Sequence, residues 1–195
     1  MSAGLADPLG AVRAWYDEAV AAGVPEPNAM ALATASPDGM PSVRIVLLKG
    51  IDDRGIRFYT NYESRKGREL AENPRAALAI HWQAQQRQVR LEGPVERVAP
   101  EASDAYFTSR PRGSRIGAWA SRQGSVLPDR HALEERFDAL EAEWRGREIP
   151  RPPYWGGYVL RPVAIEFWEG RPSRLHDRIH YLLEGDAWRE ERLSP

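Results

Sequence analysis

The stretch Ser42-Val-Arg-Ile-Val-Leu-Leu-Lys-Gly50 places four consecutive apolar residues between two cations, Arg44 and Lys49. A short apolar run that ends at turn-forming residues is typical of a buried strand rather than a helix. Lys and Arg are seldom buried without a partner. We therefore expect a core strand here, with anions close to both of its ends.

A second basic cluster, Ser64-Arg-Lys-Gly-Arg68, lies where we predict a helix over 64–72, ended by Asn73-Pro74. Ser64 is a suitable N-cap and leaves Arg65 and Lys66 in the first turn. Free backbone N–H groups and the helix dipole favour an anion at this position. The alternative is a solvated basic face. Because cations in a first turn oppose the dipole, we predict a phosphate site instead.

The composition fits one globular domain over residues 1–195, with 42% apolar residues. The net charge of -1 gives no overall basic field, so we expect no nucleic-acid partner. The chain has neither an apolar run of membrane-spanning length nor a signal-peptide pattern, so we predict a cytoplasmic protein without a membrane partner. Zero Cys and four scattered His predict no disulfide and no metal site.

Period-two patterns and turn sequences predict nine strands. These are 29–35, 43–49, 56–60, 76–82, 87–98, 154–162, 164–168, 177–184 and 187–193. Besides the 64–72 helix we predict helices over 8–22, 100–108 and 128–144, the last with Leu133, Phe137 and Leu140 facing inward. Neighbouring strands are close enough for antiparallel pairing, and no dinucleotide fingerprint or P-loop occurs. We predict a mainly β fold, an antiparallel barrel with peripheral helices.

Further motifs occur along the chain in a recognisable order. They are Arg44-Ile-Val-Leu-Leu-Lys49, Phe58-Tyr-Thr-Asn61, Ser64-Arg-Lys66, Arg87-Gln88, residues 106–114, Glu166-Phe-Trp168 and Arg171-Pro-Ser-Arg-Leu-His-Asp-Arg178. With these motifs the chain resembles the pyridoxamine 5′-phosphate oxidase family over nearly its whole length. The resemblance implies a split β-barrel that binds FMN at the interface of a homodimer. It also implies oxidation of pyridoxine or pyridoxamine 5′-phosphate to pyridoxal 5′-phosphate, with O2 as acceptor and hydrogen peroxide as by-product.

The resemblance also implies which residues form the site. The implied FMN contacts are Arg44, Ile45, Val46, Leu47, Leu48, Lys49, Tyr59, Thr60, Arg65, Lys66, Gln88, Gln123, Trp168 and Arg178. The implied contacts to the substrate phosphate are Lys49, Tyr106, Arg110 and Ser114. Arg174 and His176 are the implied catalytic residues, and both also contact the substrate.

The residue types suit this chemistry. Each of the two phosphates carries nearly two negative charges, and charge-assisted hydrogen bonds from Arg and Lys are about twice as strong as neutral ones. The flavin supplies the redox chemistry and the protein positions it. Arg178 is expected near the N1–C2 edge of the flavin. Arg174 would hold the substrate ring against the flavin, and His176 would bond its polar edge.

Simpler interpretations exist for several of these residues. Tyr106 could be a core aromatic residue and Ser114 a helix cap, and we expect His81, His131 and His180 to be structural. Tyr106, Arg110 and Ser114 recur every fourth residue, although Pro111 predicts that the helix ends between them.

The sequence departs from the family pattern at two places, and two other functions are possible alternatives. Only six residues precede Asp7, where the family often has an arm that closes over the site. Gly124 replaces a Ser that would contact FMN, and Ser125 is a possible substitute. The rivals are a phenazine-biosynthesis-type flavin oxidase, which tends to lack the phosphate-binding set, and a non-catalytic protein that binds FMN or pyridoxal phosphate.

Overall fold

An antiparallel sheet forms the centre of the computed structural model, which describes residues 7–195. Its strands are β1 (Ala29–Ala35), β2 (Pro41–Leu47), β3 (Gly50–Asp52), β4 (Gly55–Asn61), β5 (Arg75–Trp82), β6 (Arg87–Arg97), β7 (Trp155–Leu160), β8 (Ala164–Glu169), β9 (Asp177–Glu184) and β10 (Ala187–Arg192). All nine strand pairings among residues 7–195 are antiparallel. The prediction of a mainly β, antiparallel fold is confirmed.

The sheet curls because β6 takes part in two layers. The strand order is β10-β9-β8-β6-β5-β1-β2, and the far end of β6 pairs with β7, which continues through β4 to β3. The switch falls at Gly93-Pro94: Glu92 pairs with Ala164 of β8, and Val95 pairs with Leu160 of β7. A Cβ on Gly93 would lie 2.0 Å from the Arg161 carbonyl oxygen, so the close crossing at this bend requires glycine.

Within the described part of the chain, five helices surround the sheet. They are α1 (Pro8–Ala21), α2 (Arg65–Glu72), α3 (Pro100–Ser109), α4 (Arg112–Ala120) and α5 (His131–Glu143). Asp7 caps α1 by accepting a hydrogen bond of 2.8 Å from the Gly10 amide, and Ser64 caps α2 by accepting one from Gly67. No helix within residues 7–195 has both the length and the apolar character that crossing a membrane requires.

Side chains from every strand except β10 are buried in two hydrophobic clusters. Leu32, Leu78, Leu91 and Ile165 of four neighbouring strands are at most 1% exposed and belong to the larger cluster. The smaller cluster contains Phe107, Ile116, Ile149 and Trp155, and Phe137 and Leu140 of α5 pack against it. Leu133, predicted to face inward with them, does not belong to either cluster.

The structure corrects the prediction that residues 42–50 form a buried core strand. β2 pairs only with β1, so it lies at the edge of the sheet. Val43 is 70% exposed, Ile45 65% and Leu47 42%, whereas Val46 and Leu48 are buried. Because alternate side chains of a strand point to opposite faces, an apolar run of four must place half of its residues on each face.

Candidate functional site

A cavity of about 460 Å³ lies between β2, β4, the α3–α4 segment and β7. Its size falls within the range of small-molecule sites in proteins. The lining residues are Ile45, Val46, Leu47, Lys49, Tyr59, Thr60, Asn61, Lys66, Tyr106, Arg110, Ser114, Gly117, Ala118, Ser121, Gln123 and Trp155. Eight of the fourteen predicted FMN contacts and all four predicted contacts to the substrate phosphate therefore line one cavity.

Lys66 reaches this cavity from the first turn of α2, although it is only 8% exposed. Its ammonium donates to three neutral oxygens: Thr60 Oγ1 at 3.2 Å, Ser64 Oγ at 3.3 Å and Gln123 Oε1 at 3.3 Å. The pKa of Lys66 is lowered from 10.5 to about 8, mainly by burial and also by the neighbouring Arg44 charge, while Glu69 raises it by less. No carboxylate within residues 7–195 forms an ion pair with this desolvated cation, and an anion would stabilise it.

Arg110 enters the cavity at the junction of α3 and α4. α3 ends at Ser109, Arg110 is extended, and α4 begins at Arg112. The prediction that Pro111 ends the first helix is confirmed, but α4 itself was not predicted. Tyr106, Arg110 and Ser114 nevertheless line the same cavity, because the chain resumes a helical path immediately after the break.

The cavity fits phosphorylated ligands because its cations are not neutralised by the protein. Within residues 7–195, Lys49, Lys66 and Arg110 form no ion pair with a carboxylate, and Arg110 Nη1 is buried without a hydrogen-bond partner. A buried donor without a partner is costly. A phosphate oxygen would satisfy it. This donor set is therefore suited to two phosphates, one on FMN and one on a phosphorylated substrate.

Arg44 and Arg65, the other two cations predicted to bind FMN, already have an anion within the chain. Glu69 of α2, which is 6% exposed, accepts hydrogen bonds from Arg44 at 3.2 Å and Arg65 at 2.8 Å, and from Thr34 and Ser42. Burial would raise the pKa of Glu69, but these four hydrogen bonds outweigh it and hold the pKa at about 2. Neither arginine lines the cavity. The anion expected near Arg44 is therefore a side chain of the protein itself.

A second group of predicted site residues lies on the far part of the sheet. Gln88 of β6 pairs with Trp168 of β8, which in turn pairs with Arg178 of β9, so the three form a row across adjacent strands. Arg178 donates to both oxygens of the buried Glu166, at 2.8 and 3.1 Å, and to the Ser194 carbonyl oxygen at 2.9 Å. None of this row lines the cavity.

Arg174 and His176 follow β8 in a tight turn next to this row. Ser173 and Arg174 have φ of 59° and 61°, a conformation that is uncommon and costly for residues other than glycine. The His176 ring lies 4.6 Å from the Trp168 ring, and its Nδ1 accepts a hydrogen bond of 3.1 Å from the Arg171 amide. A neutral His176 then carries its proton on Nε2, which leaves an N–H donor for a ligand.

Most of the predicted site residues thus fall into two groups, the cavity group, which lines the cavity, and a sheet-face group, which consists of Gln88, Trp168, Arg174, His176 and Arg178 and lines none of it. The residues outside the cavity are Arg44, Leu48, Arg65, Gln88, Trp168, Arg174, His176 and Arg178. Leu48 is 4% exposed, and its side chain belongs to the hydrophobic core. A single copy therefore presents the cavity group and the sheet-face group at separate places.

Five lining residues were not predicted from the sequence: Asn61, Gly117, Ala118, Ser121 and Trp155. A signal existed for Trp155, because it precedes Gly156-Gly157 in a strand, and glycine in a strand often marks a close approach. A Cβ on Gly157 would lie 2.7 Å from the Tyr59 ring. Gly124 has φ of 89°, which a Ser would rarely adopt, and Ser125 does not line the cavity.

Comparison with known proteins places the chain in a family. The sequence profile described as pyridoxamine 5′-phosphate oxidase matches residues 16–143, and that described as pyridoxine 5′-phosphate oxidase C-terminal dimerisation region matches residues 155–195. The chain belongs to the pyridoxamine 5′-phosphate oxidase family. The resemblance to this family that the sequence motifs indicated is confirmed.

Relatives and solved structures of similar sequence or fold agree with this family. A pyridoxine/pyridoxamine 5′-phosphate oxidase of Cupriavidus taiwanensis is 62% identical over 97% of this chain and 89% of its own length. One of Salinibacter ruber is 58% identical over the same shares. The structure of PhzG from Burkholderia lata 383 in complex with tetrahydrophenazine-1-carboxylic acid has a TM-score of 0.94 and 36% identity, covering 98% of this chain and 94% of PhzG.

The family's two profiles divide the site along nearly the same line as the structure, with Gln88 and Trp155 as the exceptions. The cavity residues other than Trp155 lie within the first matched region. Trp168, Arg174, His176 and Arg178 of the sheet-face group all lie within the region described as a dimerisation region. Four of the five residues of the sheet-face group thus lie in a segment of the family that is named for pairing two copies.

Proposed function

We propose that this chain is an FMN-dependent oxidase that converts pyridoxine or pyridoxamine 5′-phosphate to pyridoxal 5′-phosphate, with O2 as acceptor and hydrogen peroxide as by-product; the amine also takes up one water and releases ammonia. Relatives about 60% identical carry the name of this activity. The observation that carries the proposal is the cavity itself, in which Lys49, Lys66 and Arg110 form no ion pair with any residue in the described part of the chain. Such a cavity suits a reaction whose cofactor and substrate are both phosphorylated.

The two sets of cavity residues have distinct tasks in this proposal. Lys66, with Thr60, Ser64 and Gln123 around it, binds the phosphate of FMN. Lys49, Tyr106, Arg110 and Ser114 bind the phosphate of the substrate and so fix the distance of its ring from the cofactor. FMN, when bound, supplies the two-electron acceptor and the reaction with O2. The protein excludes water and orients the reacting carbon.

We further propose that two copies pair so that the sheet-face group of one completes the cavity of the other. The apolar residues Val43, Ile45 and Leu47 are exposed on the edge strand β2, and two of them, Ile45 and Leu47, line the cavity, so this face is suited to burial by a second copy. Arg174 and His176 would then face the substrate, with His176 Nε2 donating to its polar edge. FMN would lie at this interface.

Two further predictions concern the whole chain. We propose that residues 1–195 form a single domain. We also propose a cytoplasmic location, which suits a chain without Cys.

The phenazine-type rival has one observation in its favour, the similarity to PhzG. The chain is 36% identical to PhzG but 62% identical to the oxidase of Cupriavidus taiwanensis. The phosphate set that such enzymes tend to lack is also present and lines the cavity. We therefore favour the phosphorylated vitamers as substrates.

The experiment is turnover of the FMN-loaded protein in air with pyridoxine 5′-phosphate, pyridoxamine 5′-phosphate, unphosphorylated pyridoxine and tetrahydrophenazine-1-carboxylic acid. We expect pyridoxal 5′-phosphate and hydrogen peroxide in equal amounts from the phosphorylated vitamers, and no comparable rate with the other two. The variant Arg110→Ala should raise the KM for the phosphorylated vitamers and leave FMN bound. Turnover of the phenazine alone would favour the rival. Bound FMN without any turnover would favour a binding protein.

A further inference from the structure

Trp155, at the start of β7, forms part of an aromatic wall of the cavity. The rings of Tyr59 and Tyr106 are stacked with centroids 4.0 Å apart, and Trp155 lies nearly parallel to both, 5.6 Å from Tyr59 and 6.1 Å from Tyr106. Phe107 meets the Trp155 ring edge-on at 5.2 Å. Trp155 is 7% exposed and held on several sides, so its ring has a fixed orientation.

Arg110 rests on this wall. The central carbon of its guanidinium lies 4.7 Å from the centroid of the Trp155 ring, within the range of a cation–π interaction, for which Trp is the best partner. Phe107 is 5.6 Å from the same carbon. Burial lowers the pKa of Arg110, and Nη1 has no hydrogen-bond partner among the described residues. The ring is thus the main support of a cation that would otherwise favour water.

An aromatic ring and a carboxylate hold a cation in different ways. Arg44 is held by a carboxylate, since Glu69 accepts its hydrogen bond and neutralises its charge. An aromatic face attracts the cation through its quadrupole but adds no net charge. Arg110 therefore keeps its full positive charge and at least one free N–H while its position is fixed. This is the arrangement that an incoming dianion requires.

We propose that Trp155 is a positioning residue that holds the Arg110 guanidinium in place for the phosphate of the substrate. The inference rests on the proposed function, because it assigns Arg110 to the substrate phosphate. Trp155 acts through Arg110 and has no direct role in the redox step. Its removal therefore weakens the binding of phosphorylated ligands and leaves their unphosphorylated counterparts unaffected.

The test compares Trp155→Leu, which removes the ring, with Trp155→Phe, which keeps a weaker aromatic face. Calorimetric titration of the FMN-loaded protein with pyridoxal 5′-phosphate should give a Kd about tenfold higher for Trp155→Leu and an intermediate Kd for Trp155→Phe. The KM for pyridoxine 5′-phosphate should rise in parallel, with kcat changed less than about twofold. Binding of unphosphorylated pyridoxal and the Kd of FMN should stay the same.

Two controls separate positioning from general damage. Trp15→Leu removes another ring over an arginine, since Arg87 lies 4.6 Å from the Trp15 ring outside the cavity, and it should leave the Kd of pyridoxal 5′-phosphate unchanged. The double variant Trp155→Leu with Arg110→Ala should bind no more weakly than Arg110→Ala alone, because both changes remove the same interaction.

The outcomes are distinct. The role of Trp155 would be overturned if the losses of binding free energy from the two single changes add up in the double variant. It would also be overturned if Arg110→Ala weakens binding but Trp155→Leu leaves the Kd unchanged. Trp155→Phe provides the same comparison if Trp155→Leu does not fold. If the Kd of pyridoxal 5′-phosphate is unchanged in both Trp155→Leu and Arg110→Ala while the parent turns over normally, Arg110 does not bind the substrate phosphate. That result would overturn the inference through its premise. Absence of turnover in the parent would instead contradict the proposed function.

Discussion

Glu69 connects four side chains of β1, β2 and α2, and its ionisation contributes to stability. A carboxyl with a pKa of about 2 in the folded state and about 4.5 when unfolded stabilises the fold above pH 4.5. This contribution is lost as the pH falls through the folded pKa. One pKa unit corresponds to about 1.4 kcal/mol, so the full effect is on the order of 3 kcal/mol.

We predict that Glu69→Gln removes most of this pH dependence. The free energy of unfolding of the parent should fall more steeply between pH 4.5 and pH 2 than that of the variant, and urea unfolding at a series of pH values would measure both. Other carboxyls titrate in the same range, so the difference between the two proteins is the relevant quantity. Equal pH slopes would show that Glu69 is not the group involved.

Lys66 leads to a prediction at alkaline pH. Its folded pKa of about 8 means that the cofactor-free protein loses this positive charge as the pH rises through 8, whereas an ordinary lysine would keep it. A phosphate dianion binds the protonated form, so the affinity for FMN should fall as the pH rises above about 8. Fluorescence titration of the cofactor-free protein with FMN measures this. Lys66→Gln should bind FMN more weakly and show a flatter profile, and an unchanged profile would remove Lys66 from the phosphate site.

At the scale of whole elements, local sequence patterns located most of the fold. The predicted ranges of β1 and β9 coincide with the observed ones, because turn sequences follow both strands, Ser36-Pro-Asp-Gly39 after β1 and Gly185-Asp186 after β9. α4 was missed because Pro111, Gly113 and Gly117 disfavour a helix interior, although proline is well tolerated at a helix start. The three-residue β3 is too short to have a periodicity of its own.

The exposure of β2 could not be read from its sequence, because a run of apolar residues fits a core strand and an interface strand equally well.

For the site, sequence motifs located the cavity residues of β2, β4 and α2, but only through the family resemblance. Trp155 was missed because its role depends on Arg110, which lies 45 positions earlier and reaches the ring only through tertiary packing. The division into two groups likewise follows from topology and could not be seen in the motifs.

The exposed face of β2 gives a prediction for this element. We expect Val43→Glu, at a position 70% exposed and outside the cavity lining, to weaken the dimer, because a carboxylate would be buried against a second copy. The same substitution at Val20, which is 49% exposed on α1, is the matched control and should have no effect. Light scattering across a dilution series gives the dimer dissociation constant. A dimer equally stable in both variants would place the interface elsewhere.

At the scale of the whole molecule, we propose a site that one copy of the chain does not complete. The cavity group carries the cations without ion pairs, and the sheet-face group carries Arg174 and His176 in a turn with strained backbone. Strain of this kind is costly and is found most often at functional positions. Both groups are required for turnover in this account, and they come from different copies in the same dimer.

Complementation between two defective chains tests this claim most directly. One chain carries Lys66→Gln with Arg110→Ala, the other Arg174→Ala with Arg178→Ala, and two different tags allow the mixed dimer to be purified after co-expression. The mixed dimer has one site with four native groups and one with none. We therefore predict about half of the parent turnover with pyridoxine 5′-phosphate, whereas either variant alone is nearly inactive. A mixed dimer as inactive as both variants would show that each copy holds a complete site and would contradict the account.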